Sequence, residues 1–121
     1  MRSIFKSRSN KNESQHLNWL TFSGLEELQQ LLTSNKTCVI FKHSTRCSIS
    51  STALSRIDIS SKTNVNFYLI DVINQRELSD FLSDFFQIKH ESPQIFVINN
   101  GELVKCESHL SISNASFSAL I

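Results

Sequence analysis

Cys38-Val39-Ile40-Phe41 is a short apolar run that ends in the polar segment Lys42-His43-Ser44-Thr45-Arg46, after which Cys47 opens a stripe of Ile49, Ala53, Leu54 and Ile57 at helical spacing. A buried strand that hands over to a helix through a polar loop is the building unit of a parallel sheet. The pattern recurs on both sides. Upstream, Leu17-Asn18-Trp19-Leu20-Thr21-Phe22 reads as a short strand or extended entry. Ser23 and Glu26 follow in capping-box register, and Leu25, Leu28, Leu31 and Leu32 share one face of a helix ending near Asn35. Downstream, Val65 to Val72 has the β-branched and aromatic content of a central strand, and Leu78, Phe81, Leu82 and Phe85 supply a helix to cover it. The single proline, Pro93, directly precedes Gln94-Ile95-Phe96-Val97-Ile98. Asn100-Gly101 then signals a two-residue hairpin returning through Glu102 to Cys106, and Ile112 to Ile121 form a last short helix. Alternating elements with a terminal hairpin predict an α/β fold, a central mixed sheet flanked by helices.

The chain has 121 residues, enough for one domain that buries about two thirds of its unfolded surface without disulfide staples. Residues 17–121 are expected to form that domain. Residues 1–16 are rich in Ser, Asn, Lys and Arg and are expected to be a flexible polar tail with no signal-peptide apolar region. No apolar stretch approaches the roughly 20 residues of a membrane helix. A formal net charge of +1, without a basic stripe, argues against nucleic acid as a partner. The three cysteines, Cys38, Cys47 and Cys106, are odd in number and widely spaced, which fits neither a secreted disulfide framework nor paired zinc ligands. A reducing cytoplasm is the expected setting, with no metal and no bound cofactor.

Cys47 is the residue with chemistry. At the carboxyl end of a strand and the amino end of a helix, a thiolate is favoured by unpaired N–H groups and the helix dipole. Free cysteine titrates near 8.5, and such a setting lowers this to about 3.5–7.5. Arg46 and Lys42 add positive potential if they turn inward. Ser50 stands three residues on, where a dithiol enzyme has its second cysteine, and its hydroxyl can donate to the Cys47 sulfur. The CxxS spacing implies one-thiol chemistry. Cys38 and Cys106 lie in predicted strands and read as core, although either could resolve an adduct if its Cα came within about 7 Å of that of Cys47. His43 and His109 invite a catalytic-triad or metal reading that no local signature supports. With only two glycines, a phosphate-cradling loop is not expected.

FKHSTRCSIS, the block SPQIFVINNGELV and the short SHLSI after it resemble the YtxJ family of bacillithiol-system proteins, the monothiol bacilliredoxins, from about Leu17 to the end of the chain. The resemblance implies a thioredoxin-like fold, whose element order this chain shares. It also implies that Cys47 is the nucleophile, with Thr45, Arg46, Ser48, Ile49 and Ser50 forming the substrate-contacting loop and helix start. Ser92 and Pro93 match the cis-proline position. The better-known family motif, TCPIS, has proline where this chain has Ser48, which leaves the helix start less rigid. The implied activity is removal of bacillithiol from mixed disulfides on client proteins. Bacillithiol or another low-molecular-weight thiol is then the co-substrate, and a thiol or partner redoxin regenerates Cys47. The other reading is a redox-sensing or binding module, modified at Cys47 without turnover.

Overall fold

The computed structural model describes residues 19–57 and 65–113. The expected tail over residues 1–16 lies outside them. Helix α1 covers Leu25–Leu32, α2 Ser48–Ser55 and α3 Arg76–Phe86; strands are β1 Thr37–His43, β2 Asn66–Asp71, β3 Gln94–Asn99 and β4 Glu102–Ser108. The sheet runs β2-β1-β3-β4, with β1 and β2 parallel and the other pairs antiparallel. This is the expected mixed sheet. The entry strand is reduced to one bridge: Leu20 pairs with Tyr68, its N–H donating to Phe67 and its carbonyl accepting from Leu69, both at 2.8 Å.

β1 has a strand partner on each side and a helix layer over each face. Successive side chains of a strand point to opposite faces. Cys38 and Ile40 therefore enter a core with Leu28, Leu32, Leu82 and Phe96 beneath α1 and α3. Val39 and Phe41 enter the other, with Trp19, Ala53, Leu54 and Ile95 beneath α2. Lys42 and His43 continue the same alternation to the end of the strand. That placement decides what each can do.

Three local expectations shift. Gly24 is the N-cap of α1, so Glu27 rather than Glu26 stands at the third helical position, and Ser23 donates from both N–H and Oγ to its carboxylate at 2.7 and 3.1 Å. The inward face of α3 is rotated. Leu78 and Leu82 are buried together with Ser79 and Ser83, whereas Phe85 is 45% exposed. Of the inward serines, Ser83 meets Lys42, as described below, and Ser79 lies 3.3 Å from His90 Nδ1. Finally, His109–Ser111 form a 3-10 turn and Ile112 is extended and fully buried, while residues 114–121 of the expected last helix lie outside the described residues.

Candidate active site

Cys47 is the N-cap of α2, extended at φ −114° and ψ 120°. Its carbonyl accepts the Ser51 N–H at 3.1 Å, and its own N–H donates to the Ser44 carbonyl at 3.2 Å, closing the turn through Thr45 and Arg46. The first-turn N–H groups of α2 have no intrahelical acceptors and place partial positive charge beside the sulfur. Cys47 is a free, half-buried cysteine, and Thr45, Arg46, Ser48 and Ile49 around it are all exposed. Arg46 makes no ion pair among the described residues.

Ser50 is neither an exposed helix serine nor a direct partner of the sulfur. It is fully buried, its hydroxyl accepts the Ser44 N–H at 3.0 Å, and it lies 2.6 Å from Nδ1 of His43. The end of β1 leaves the Ser44 N–H without a strand partner, and Ser50, one turn into the helix, is the acceptor within reach. His43 is itself buried, on the α2 side of the sheet, and its carbonyl accepts the Val72 N–H at 3.0 Å. Sequence reasoning assigned His43 no task. The signal available was its period-two register with Val39 and Phe41, which directs it under α2.

Lys42 does not face Cys47, which corrects its expected part in stabilising the thiolate. As the neighbour of His43 on a strand it points to the opposite face, under α3. There its fully buried ammonium donates to Ser83 Oγ at 2.6 Å, lies 3.2 Å from His90 Nδ1, and sits 5.3 Å above the centre of the Phe96 ring. Burial lowers its pKa from 10.5 to about 8, and the Cys106 thiol and Asp80 oppose part of that fall. Burial and then the Lys42 charge also hold His90 below its ordinary value, so its Nδ1 serves as acceptor.

The Ser92–Pro93 peptide is cis. Lys42 pairs with Gln94 across β1 and β3, so this peptide lies at the sheet end from which the loop to Cys47 departs. The Ser92 hydroxyl is buried and has no hydrogen-bond partner among the described residues. The Pro93 carbonyl accepts the His109 N–H at 2.9 Å, and His109 Nδ1 is 3.5 Å from Glu91, which ties that histidine to the β3 entrance.

The other cysteines are remote from Cys47. Cys38 is 1% exposed, with burial pushing its thiol up to about 12. It is the second residue of β1, about 16 Å of strand before His43, while Cys47 lies beyond the other end. Cys106 is only partly buried, less enclosed than a core reading implied. It pairs with Phe96 on β4, two strands from β1, and packs on the α1 and α3 side. Burial pushes its thiol up to about 11, outweighing the opposing pull of Lys42. Neither approaches the 7 Å Cα separation a disulfide with Cys47 requires.

Among the described residues there is no group of three or more His, Cys, Asp or Glu that could hold a metal, and no helix long and apolar enough to cross a membrane. The family model for the monothiol bacilliredoxin BrxC matches residues 21–117. The chain belongs to the monothiol bacilliredoxin BrxC family. A solved protein described provisionally as an oxidoreductase with a thioredoxin fold is 30% identical, with a TM-score of 0.76 over 84% of this chain and 92% of its own. Two thioredoxins share the fold at lower identity. That of Malassezia sympodialis is 19% identical, with a TM-score of 0.63 over 84% of this chain and 86% of its own. Mitochondrial thioredoxin 3 of Saccharomyces cerevisiae is 18% identical, with a TM-score of 0.59 over 78% and 87%. Membership of this bacilliredoxin family and the thioredoxin-like fold give the chain a thiol redox role.

Proposed function

We infer that Cys47 is the nucleophile of a monothiol exchange that removes bacillithiol from mixed disulfides on client proteins. The observation that carries this reading is a free thiol at the N-cap of α2 with accessible neighbours and no second cysteine in range. The Cys47 thiolate attacks the bacillithiol sulfur, and the client–bacillithiol S–S bond breaks as the Cys47–bacillithiol bond forms. The client leaves as a thiolate and takes a proton from solvent. One disulfide replaces another, so no external oxidant or reductant enters this step.

Regeneration requires a second low-molecular-weight thiol or a partner redoxin, in a reducing compartment such as the cytoplasm. Thr45, Arg46, Ser48 and Ile49 form the exposed contact rim, with Arg46 offering its cation to the substrate. The Ser92 backbone beside Pro93 offers strand-like hydrogen bonds to the incoming chain.

Incubation of the reduced protein with a bacillithiolated client should place the adduct on Cys47, read by peptide mass spectrometry, and repeated turnover should follow when a thiol reductant is added. A Cys47→Ala variant that clears bacillithiol as fast as wild type refutes the assignment. Modification of Cys47 without turnover in the presence of reductant identifies a sensor instead.

A further inference from the structure

Ser50 has one hydroxyl hydrogen and two acceptor sites. The Ser44 N–H occupies one acceptor site, and the 2.6 Å contact with His43 Nδ1 uses either the second acceptor site or the hydrogen. With the imidazole proton on Nε2, Ser50 donates to Nδ1 and its hydrogen is committed there. With a proton on Nδ1, His43 donates, both acceptor sites are filled, and the hydroxyl hydrogen turns to another acceptor. Cys47 is the N-cap of α2 and Ser50 its third helical residue, the position toward which an N-cap side chain turns.

We propose that His43 is a positioning residue acting through Ser50: a proton on Nδ1 releases the Ser50 hydroxyl to donate to the Cys47 sulfur, and loss of that proton withdraws the donor. This deepens the exchange reading and rests on Cys47 being the reacting thiol. A thiolate is a strong acceptor for the released hydrogen, whereas a disulfide sulfur is a weak one. The free and adduct states therefore differ in where one proton sits, with the backbone unchanged.

His43 and Ser50 are both buried, and the Phe41 ring lies 6.0 Å from the imidazole. Of the charged groups around His43, α2 contributes none within Ser48–Ser55, and the loop contributes Arg46. From β2, Asp71 stands opposite His43 in register, with its carboxylate accepting the Ile73 and Asn74 N–H groups of its own turn. At the β3 entrance, Glu91 and His109 face one another.

The test is the pH dependence of Cys47 alkylation by iodoacetamide, read on the Cys47 peptide, in wild type, Ser50→Ala, Ser50→Thr, His43→Phe and the Ser50→Ala/His43→Phe double variant. Losing a hydrogen bond to a charged acceptor should move the midpoint up by about one pH unit in Ser50→Ala, whereas His43→Phe, which leaves the Ser50 hydrogen no Nδ1 to donate to, should leave the midpoint at or below that of wild type. The double variant should match Ser50→Ala, and Ser50→Thr, which keeps the hydroxyl, should stay near wild type. A midpoint unmoved by Ser50→Ala, raised by His43→Phe, or different between Ser50→Ala and the double variant overturns the proposal.

If a variant fails to fold, 15N NMR of the His43 ring in wild type decides. The proton should move between Nδ1 and Nε2 when reduced Cys47 is methylthiolated, and ring nitrogens indifferent to that change overturn the proposal. Neither readout uses bacillithiol, so failure of the exchange reading in the Cys47→Ala assay is distinguished from failure of the His43–Ser50 coupling.

Discussion

A fully enclosed ammonium whose close partners are a serine hydroxyl, a neutral imidazole and a phenyl ring makes Lys42 a costly residue of the core. Unfolded, it titrates at its ordinary 10.5; folded, at about 8. Between these values the unfolded chain holds a proton that the folded chain has released, so this contribution to stability rises with pH across that window. Below about 8 the burial penalty is present in full, on the order of 3 kcal/mol at ~1.36 kcal/mol per unit. Cys38 and Cys106 act in the opposite direction. Their folded values of about 12 and 11 lie above the ordinary 9.0, so their stabilisation is complete below 9 and is lost as pH climbs beyond it. From these three groups, urea unfolding should show stability rising between pH 8 and 9 and turning down above. Lys42→Met should be more stable than wild type at pH 7 by about 1–3 kcal/mol and should lack the rise. A variant that is less stable at pH 7 would show that the ammonium's contacts outweigh its desolvation.

At the scale of elements, the start of α2 is prepared for a residue it lacks. Cys47 already has the extended backbone that a following proline demands, and Ser48 occupies the first helical position, where an N–H has no intrahelical acceptor. Ser48→Pro should therefore stabilise the fold by about 0.4–1 kcal/mol in urea unfolding, through the unfolded chain's lost freedom. The β3–β4 turn leaves no such room. Asn100 and Gly101 both have positive φ, 59° and 83°, and a Cβ on Gly101 would meet the Leu32 carbonyl at 3.2 Å. Gly101→Ala should cost about 1–2 kcal/mol, seen as a lower urea midpoint. Strand runs, the NG turn and the helix start at Cys47 were legible because each is written in consecutive residues. The inward rotation of α3 toward Ser79 and Ser83 was not, since their partners are an ammonium delivered from β1 and the His90 imidazole. Nor was the engagement of Ser50, whose partners His43 and Ser44 become neighbours only when the loop folds back.

For the molecule as a whole, the sheet keeps the three thiols apart: Cys47 beyond one end of β1, Cys38 at the other, and Cys106 two strands away under α1 and α3. A bacillithiol adduct on Cys47 should consequently persist in intact-mass spectra until external thiol is added. Spontaneous loss with formation of an intramolecular disulfide would contradict the separation. Under the proposed reaction the return step is bimolecular, and its rate is proportional to the concentration of whatever reductant is present. The distance between sulfurs thus makes the lifetime of the loaded protein a clock set from outside: short when reduced thiol is plentiful, long when it is scarce. The fraction of molecules standing loaded at any moment becomes a gauge of the surrounding thiol pool.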